Sequence, residues 1–330
     1  MIKTWSTPAT VQEERPIPCV LCGGSRFKKH FSYGDFRYVR CTICGLVQIN
    51  PQPVPAAVRD RYGADYLSYE RANETAFLRL QELALKDAGF FDDLEDYLTV
   101  REPPAVLDIG CATGALLSSL REKGWQVTGV EISRPQAEYA RRERNLDVRT
   151  RPLEENRFPP DSFRAVLASH LIEHLNDPAS LVREVYRILL PGGCFYVTTP
   201  NIAGFQARLL GKRWRSAIFD HLYLFSAKTL PALLRRNGFT VEKTVTWGGL
   251  AAGLAPPRIK AWADRAAKKL NRGDVMIVRA RKPNEKFAGL YPHVEQPPQV
   301  RPFPNQDFRQ NASGSESSGF IPLHVPTGVF

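Results

Sequence analysis

From residue 105 onward, apolar runs of strand length alternate with amphipathic stretches of helical spacing. Ala105–Ile109 is a buried-strand run, and Ala115–Lys123 suits a helix stopped by Gly124. Gln126–Glu131 is a second strand and Pro135–Arg144 a second helix. Phe163–Ser169 is a third strand. Pro178–Leu190 follows as an amphipathic helix, with Asp177 at the N-cap and Pro178 at the first helical position. Pro191-Gly192-Gly193 predicts a turn before a strand over Cys194–Thr199. Leu230–Arg236 reads as helix, and Phe239–Thr246 and Val275–Arg281 read as strands. Such alternation predicts parallel βαβ units, an α/β sheet with helices on both faces.

Other patterns flank this block. Residues 51–98 look helical, with Phe77, Leu78, Leu80, Leu83, Leu85, Phe90, Phe91 and Leu94 spaced along Ala72–Leu98, until Pro103-Pro104 breaks the chain. Earlier, SRFKKHFSYG and FRYVR are short strand-like runs bounded by Gly23-Gly24 and Gly34-Asp35. Pro257–Asn271 reads as a basic amphipathic helix, with Ile259, Trp262, Ala266 and Leu270 marking one face. From Pro283 onward come eight prolines and SGSESSG, the composition of a mostly disordered tail. The organisation expected is therefore a ribbon over 1–50, a helical linker or cap over 51–98, the α/β domain over 99–282 and a tail over 283–330.

Composition changes this picture little. The chain has 330 residues, 43% hydrophobic and 24% charged, which is ordinary for a globular protein with a sizeable core. It has no apolar run of transmembrane length, and MIKTWSTPATVQEERP lacks the apolar region of a signal peptide. A cytoplasmic protein is the resulting expectation. Charge adds more. The net charge is +11, and residues 202–282 hold 17 Lys/Arg against 4 Asp/Glu. That segment suits phosphate, nucleic acid or peripheral contact with an anionic membrane, or simply a solvated helix face.

Four of the six cysteines form Cys19-x2-Cys22 and Cys41-x2-Cys44, with 18 residues between the pairs. Each pair can chelate through a tight turn, and two such turns supply four thiolates for tetrahedral, structural Zn2+. A ribbon this short cannot bury an adequate core without the metal.

The strand ending at Ile109 runs into Gly110-Cys111-Ala112-Thr113-Gly114 and then a helix. A glycine-rich strand-to-helix turn lets the backbone approach a ligand and presents helix N–H groups to it. The dinucleotide and P-loop patterns are absent, which disfavours a pyrophosphate. Glu131 ends the next strand, and a carboxylate there can accept hydrogen bonds from both ribose hydroxyls.

VLDIGCATG and VTGVEIS resemble the first two motifs of class I S-adenosylmethionine-dependent methyltransferases. PLEENRFPPDSF, VLASHLIEHLNDP and RILLPGGCFYVTTPN resemble later motifs of that family. GKRW and FDHLYLFSAKTLPALLRRNGF are similar to a segment of a subgroup in which a zinc ribbon precedes the methyltransferase domain. The likeness runs from about Cys19 to Lys282. It implies a Rossmann-like, seven-stranded sheet with an antiparallel last strand and S-adenosyl-L-methionine as cofactor. Asp108, Gly110, Cys111, Ala112 and Gly114 would surround its methionine part. Glu131 would hold the ribose, with Ile132 beside it among the cofactor-binding positions. Leu153 and Glu154 would lie near the adenine, and Ser169 and His170 near the sulfonium. Arg164 stands where the family pattern has an aspartate.

His170-x-x-Glu173-His174 also has the spacing of a zinc-protease motif. On an α-helix the three side chains would share one face, but Asp177-Pro178 ends any such helix within two turns. Relatives such as ubiquinone-pathway O-methyltransferases are similar in placing Glu and His here around a divalent ion. By that resemblance Glu173, His174 and His221, with His170, would bind a cation or supply a base. The expected partner is a small-molecule, glycan or lipid-linked methyl acceptor, methylated at oxygen. A zinc-ribbon nucleic-acid-binding protein, or an RNA methyltransferase using the basic segment, is the alternative.

Overall fold

A computed structural model of the chain describes residues 14–53, 64–92, 104–249 and 256–284. The apolar runs form one seven-stranded sheet and one four-stranded sheet, with a two-stranded pair beside them. The large sheet is built from β6 (Ala105–Ile109), β7 (Gln126–Val130), β8 (Val148–Arg149), β9 (Phe163–Ser169), β10 (Leu189–Pro200), β12 (Thr240–Trp247) and β13 (Val275–Arg281). Its order is β12-β13-β10-β9-β6-β7-β8. The five strands from β10 to β8 run parallel, and β13 lies antiparallel between β10 and β12. This is the seven-stranded α/β sheet expected from the sequence.

Side-chain alternation builds a core on each face of this sheet. Leu107, Val166, Phe195, Val197 and Val278 join one cluster, with Leu181 and Val185 of α4 (Pro178–Ile188) and Leu233 and Leu234 of α6 (Thr229–Arg236). Their sequence neighbours Val106, Leu167, Tyr196 and Ile277 join the other. There they meet Leu85 and Ala88 of α1 (Ala64–Ala88) and Leu116 and Leu120 of α2 (Ala115–Glu122). The helix α3 (Arg134–Arg144) packs Ala137 and Ala140 beside Cys111 and Val148. Asp177 caps α4, its carboxylate accepting from the Ser180 N–H at 3.0 Å.

The small sheet has the order β11-β4-β3-β2 and is built from β2 (Phe27–Tyr33), β3 (Phe36–Cys41), β4 (Val47–Ile49) and β11 (Tyr223–Leu224). The last of these comes from far along the chain, after α5 (Phe205–Leu210). The ribbon is therefore completed by the α/β part rather than tethered to it. Tyr38, Val47, Tyr223 and Phe225 share the main core with the large sheet.

Two expectations change. Pro191-Gly192-Gly193 is not a turn before a strand, because β10 already begins at Leu189. Gly192 donates to Lys282 O at 2.8 Å and Lys282 donates to Gly193 O at 2.9 Å. These bonds keep the glycines in the sheet as an irregularity between Leu189 and Cys194. The stretch 51–98 is not uniformly helical. β5 (Gln52–Pro53) pairs with β1 (Glu14–Arg15), and α1 stops before Gly89, whose φ is 81°. Phe90 lies past the helix end, stacked at 4.9 Å on Trp125 and 5.2 Å from Tyr196. Leu94 and Leu98 lie outside the described residues, as does the expected tail from residue 285. The expected basic amphipathic helix is α7 (Pro257–Lys269), whose buried residues are Ala263 and Ala267.

Gly129 explains the small residue in VTGVEIS. A Cβ there would lie 2.6 Å from Cys111 Sγ, 3.0 Å from Leu117 Cδ1 and 3.2 Å from Val148 Cγ2. Gly129→Ala is expected to cost about 1–3 kcal/mol by overpacking. A thermal melt should drop by several degrees, and adding Cys111→Ala should restore part of the loss. An unchanged melting temperature would mean that α2 and α3 yield freely here.

Candidate active site and metal-ligating clusters

The turn after β6 is held open by its backbone. Gly110, Ala112 and Gly114 have φ of 76°, 49° and 76°, a region that only glycine enters without strain. Val130 O accepts from Gly110 N–H at 2.7 Å and from Cys111 N–H at 3.2 Å. The buried Glu131 carboxylate accepts from Ala112 N–H at 3.0 Å and from Ser133 N–H at 2.8 Å, one bond on each oxygen. It thus fastens the turn to the end of β7. Burial raises its pKa, and the Ser133 and Ala112 N–H groups oppose that rise. Each oxygen keeps a second lone pair for a ligand.

The remaining positions of the expected cofactor region fall around this turn. Thr113 donates to Glu74 of α1 at 2.7 Å, and Glu74 pairs with Arg144 at 2.6 Å, so α1 crosses the turn. Asp108, Ser169, Tyr196 and Thr198 line a small cavity closed by Gln81 and Leu85 of α1. Ile132 is 49% exposed, an apolar side chain open beside buried Glu131. Leu153 is buried in the main core, whereas Glu154 faces solvent on a 3-10 turn.

After β9 there is no α-helix. His170 has φ of 51°, and Ile172–His174 is a single 3-10 turn. The H-x-x-E-H spacing therefore does not place its side chains on a helix face, as the protease motif requires. It nevertheless gathers a cluster. Ligand atoms of Glu173, His174 and His221 all lie within 4.8 Å of one another, and His170 Nδ1 is 3.3 Å from Glu173 Oε1. The rings of His174 and His221 meet edge-on at 4.7 Å. His174 Nδ1 sits 2.9 Å from Asp220 O and His221 Nδ1 sits 2.8 Å from Ser216 O. A carbonyl only accepts, so both rings carry their proton on Nδ1 and have Nε2 as the unprotonated nitrogen.

Glu173 is the unusual member. Its side chain is fully buried, yet neither oxygen receives a well-formed hydrogen bond. A buried carboxylate without compensation is costly. Burial would raise its pKa; the contact with His170, ahead of smaller electrostatic effects of His174 and His221, outweighs that and holds it at about 2. Burial, then His174 beside it, lowers His221 to about 3, so its imidazole is neutral at neutral pH.

Sequence reading missed what aims His221. Tyr38 of β3 donates its hydroxyl towards Ile218 O at 2.5 Å and His221 O at 2.9 Å. Phe36 stacks on Phe219 at 5.9 Å, and Ile49 N–H donates to Leu222 O at 2.9 Å. Nothing local in FRYVR signals this, because the contact joins positions about 180 residues apart.

The four ribbon cysteines form a second cluster, with all Sγ atoms within 4.8 Å. Cys19 to Cys44 is 3.4 Å and Cys22 to Cys41 is 3.5 Å, far beyond a disulfide bond. Gly23 and Gly45, at φ of 72° and 81°, let each C-x2-C fold back, and Gly23 and Gly45 donate to Cys19 O and Cys41 O. Burial pushes the Cys44 thiol up to about 11. Burial also raises Cys41, but N–H groups of Cys44 and Ile43 bring it down to about 7.

A family model described as a methyltransferase domain matches residues 79–244. A ubiquinone biosynthesis O-methyltransferase of Xylella fastidiosa is 30% identical over 187 residues, covering 52% of this chain and 72% of that protein. One of Pseudomonas entomophila is 31% identical over 102 residues, covering 29% of this chain and 44% of that protein. The chain thus spans about half the length of several curated relatives it matches. Among solved structures, an S-adenosylmethionine dependent methyltransferase of Mesorhizobium loti aligns with TM-score 0.42 and 23% identity, over 60% of this chain and 99% of that one. The family model alone covers half of the sequence, so the chain belongs to the methyltransferase-domain family, the S-adenosylmethionine-dependent class to which its motifs point.

Proposed function

We propose that the protein methylates an oxygen of a small-molecule, glycan or lipid-linked acceptor, using S-adenosylmethionine, at the mouth formed by β6, β7 and β9. The observation that carries this reading is the cluster of Glu173, His170, His174 and His221 directly after β9, one strand from the glycine turn. The names of the ubiquinone biosynthesis relatives support oxygen as the atom methylated.

The residues fit the cofactor. The positive-φ turn admits close approach, Glu131 offers lone pairs to ribose hydroxyls, and exposed Ile132 offers an apolar surface to a base. Asp108 is fully buried; burial and then Glu131 push it up to about 7. A sulfonium nearby would favour its ionised form. The orphaned oxygens of Glu173, with Nε2 of His174 and His221, form a donor set for a divalent cation. When bound, the sulfonium supplies an electrophilic methyl group and the cation acidifies a hydroxyl. The chain's own part is to hold the acceptor oxygen in line and to receive its proton on the imidazole of His170, which stands outside the donor set. Structural Zn2+ belongs to the ribbon cysteines, whose spacing suits tetrahedral sulfur edges of about 3.8 Å.

His174→Ala is expected to abolish methyl transfer while leaving S-adenosylmethionine affinity within about threefold. An equal loss of both would make the cluster structural. Glu131→Ala, measured by calorimetry with S-adenosylhomocysteine, is expected to weaken binding at least about tenfold.

Asp108 gives a pH signature in the cofactor-free protein. Its ordinary value is 3.8 and its folded value about 7, so the native state holds the proton longer than the unfolded chain. The associated stability is present below about pH 4 and is lost as pH rises to about 7, on the order of a few kcal/mol. Asp108→Asn should therefore melt above the wild type at pH 8 and level with it below pH 4; a pH-independent gap would contradict this. Metal removal gives a further check. Cys19→Ser should lose bound zinc, measured by atomic emission, and melt well below the wild type. Retention of both would leave the ribbon without its metal.

A further inference from the structure

The apolar stripe of α7 faces the wrong way for a core. Ile259, Trp262 and Leu270 are 53%, 69% and 60% exposed, while the helix docks through Ala263 and Ala267. At about 100° per residue, Ile259, Trp262, Ala266 and Leu270 lie within an arc of about 80°. Arg258, Arg265 and Lys269 form a column at its edge. A solvent-facing tryptophan inside an aliphatic stripe, flanked by cations, marks an interaction surface rather than a scatter of exposed residues.

The surface continues onto α5. Phe205 N–H donates to Arg272 O at 2.9 Å, and Gly204 packs so closely on Gly273 that a Cβ would lie 2.7 Å from its carbonyl. Leu209, 74% exposed, sits on this second helix with Arg208, and Lys212 and Arg213 follow. Asp274 holds the corner by accepting from Trp214 Nε1 at 2.5 Å and Arg215 Nε at 2.8 Å. Two short helices thus share one fixed corner, each with exposed apolar side chains and cations.

We propose that this face docks on an anionic lipid bilayer, with α7 lying in the interface. Ile259, Trp262 and Leu270 would enter the boundary between headgroups and acyl chains, and Arg258, Arg265 and Lys269 would meet the headgroups. No helix among the described residues is long and apolar enough to cross a membrane, so contact here is peripheral. Charge selects the occupant. A second copy meeting this face symmetrically would bring like-charged columns together. A nucleic acid would gain nothing from Ile259, Leu270 and Leu209, which offer no stacking surface. The 202–222 segment also carries His221, so docking would bring the proposed acceptor site near the bilayer, although lipid binding itself does not depend on methyl transfer.

The test is co-sedimentation of the full chain with vesicles of phosphatidylcholine containing about 30% phosphatidylglycerol, and with pure phosphatidylcholine. Binding to the anionic vesicles is expected, falling at high salt and at least about tenfold weaker without phosphatidylglycerol. Ile259→Ser/Trp262→Ser/Leu270→Ser and, separately, Arg258→Gln/Arg265→Gln/Lys269→Gln should each weaken it at least about tenfold. Both should leave the thermal melt and S-adenosylhomocysteine binding unchanged. If the triple serine variant misfolds, the blue shift of tryptophan emission on vesicle binding gives a second reading, and Trp262→Phe should reduce it. Absence of binding to anionic vesicles, or equal binding by the serine variant, overturns the proposal. So does a dimer by light scattering that the serine variant dissolves, or RNA binding that competes with the vesicles and ignores the serine substitutions.

Discussion

Both halves of the proposed site depend on one constraint of the sheet: β6 has a parallel partner on each side, β7 and β9, and the chain reverses direction across it. Helices leaving neighbouring strands towards opposite faces open a crevice at the strand ends, where ligands of open α/β sheets bind. The glycine turn leaves β6, Glu131 leaves β7, and Ser169 with the histidine cluster leaves β9. The Glu131 bonds to Ala112 and Ser133 then lock two sides of the crevice in place.

The two sides differ in how their polar groups are satisfied. Around the turn, backbone N–H groups meet the Glu131 carboxylate, so that side is organised without a ligand. After β9, Glu173 is buried with histidines about it and no well-formed hydrogen bond. The neighbouring histidines, rather than backbone N–H groups, keep this carboxylate ionised, so both of its oxygens stay available to a cation. The Nδ1 contacts of His174 and His221 with backbone carbonyls orient both rings and leave Nε2 as the nitrogen open to another partner.

The ribbon belongs to this site as much as to the N-terminal segment. Its sheet is closed by Tyr223–Leu224, and Tyr38 holds the backbone of Ile218 and His221. β3 and β4 are thus packed and hydrogen-bonded directly against the segment that carries His221.

By itself the sequence determined six of the seven strands and most helices of the α/β part, the glycine turn with Glu131 and the paired C-x2-C turns, because each rests on local periodicity or spacing, whereas β8 and α5 are too short to show a period. The Pro191-Gly192-Gly193 turn was misread because its conformation is decided by Lys282 bonds from a strand far along the chain. The same reason hid Tyr38, whose partner lies in another element. His170, Glu173 and His174 were legible as chemistry, but their gathering with His221 required β9, the 3-10 turn and the segment before β11 to meet. The α7 stripe is the clearest division of labour. Spacing identified Ile259, Trp262 and Leu270 as one face, but only packing could decide that Ala263 and Ala267 meet the protein and that this face meets its surroundings. Periodicity records which residues share a side of a helix; which side is buried depends on the surface available to receive it.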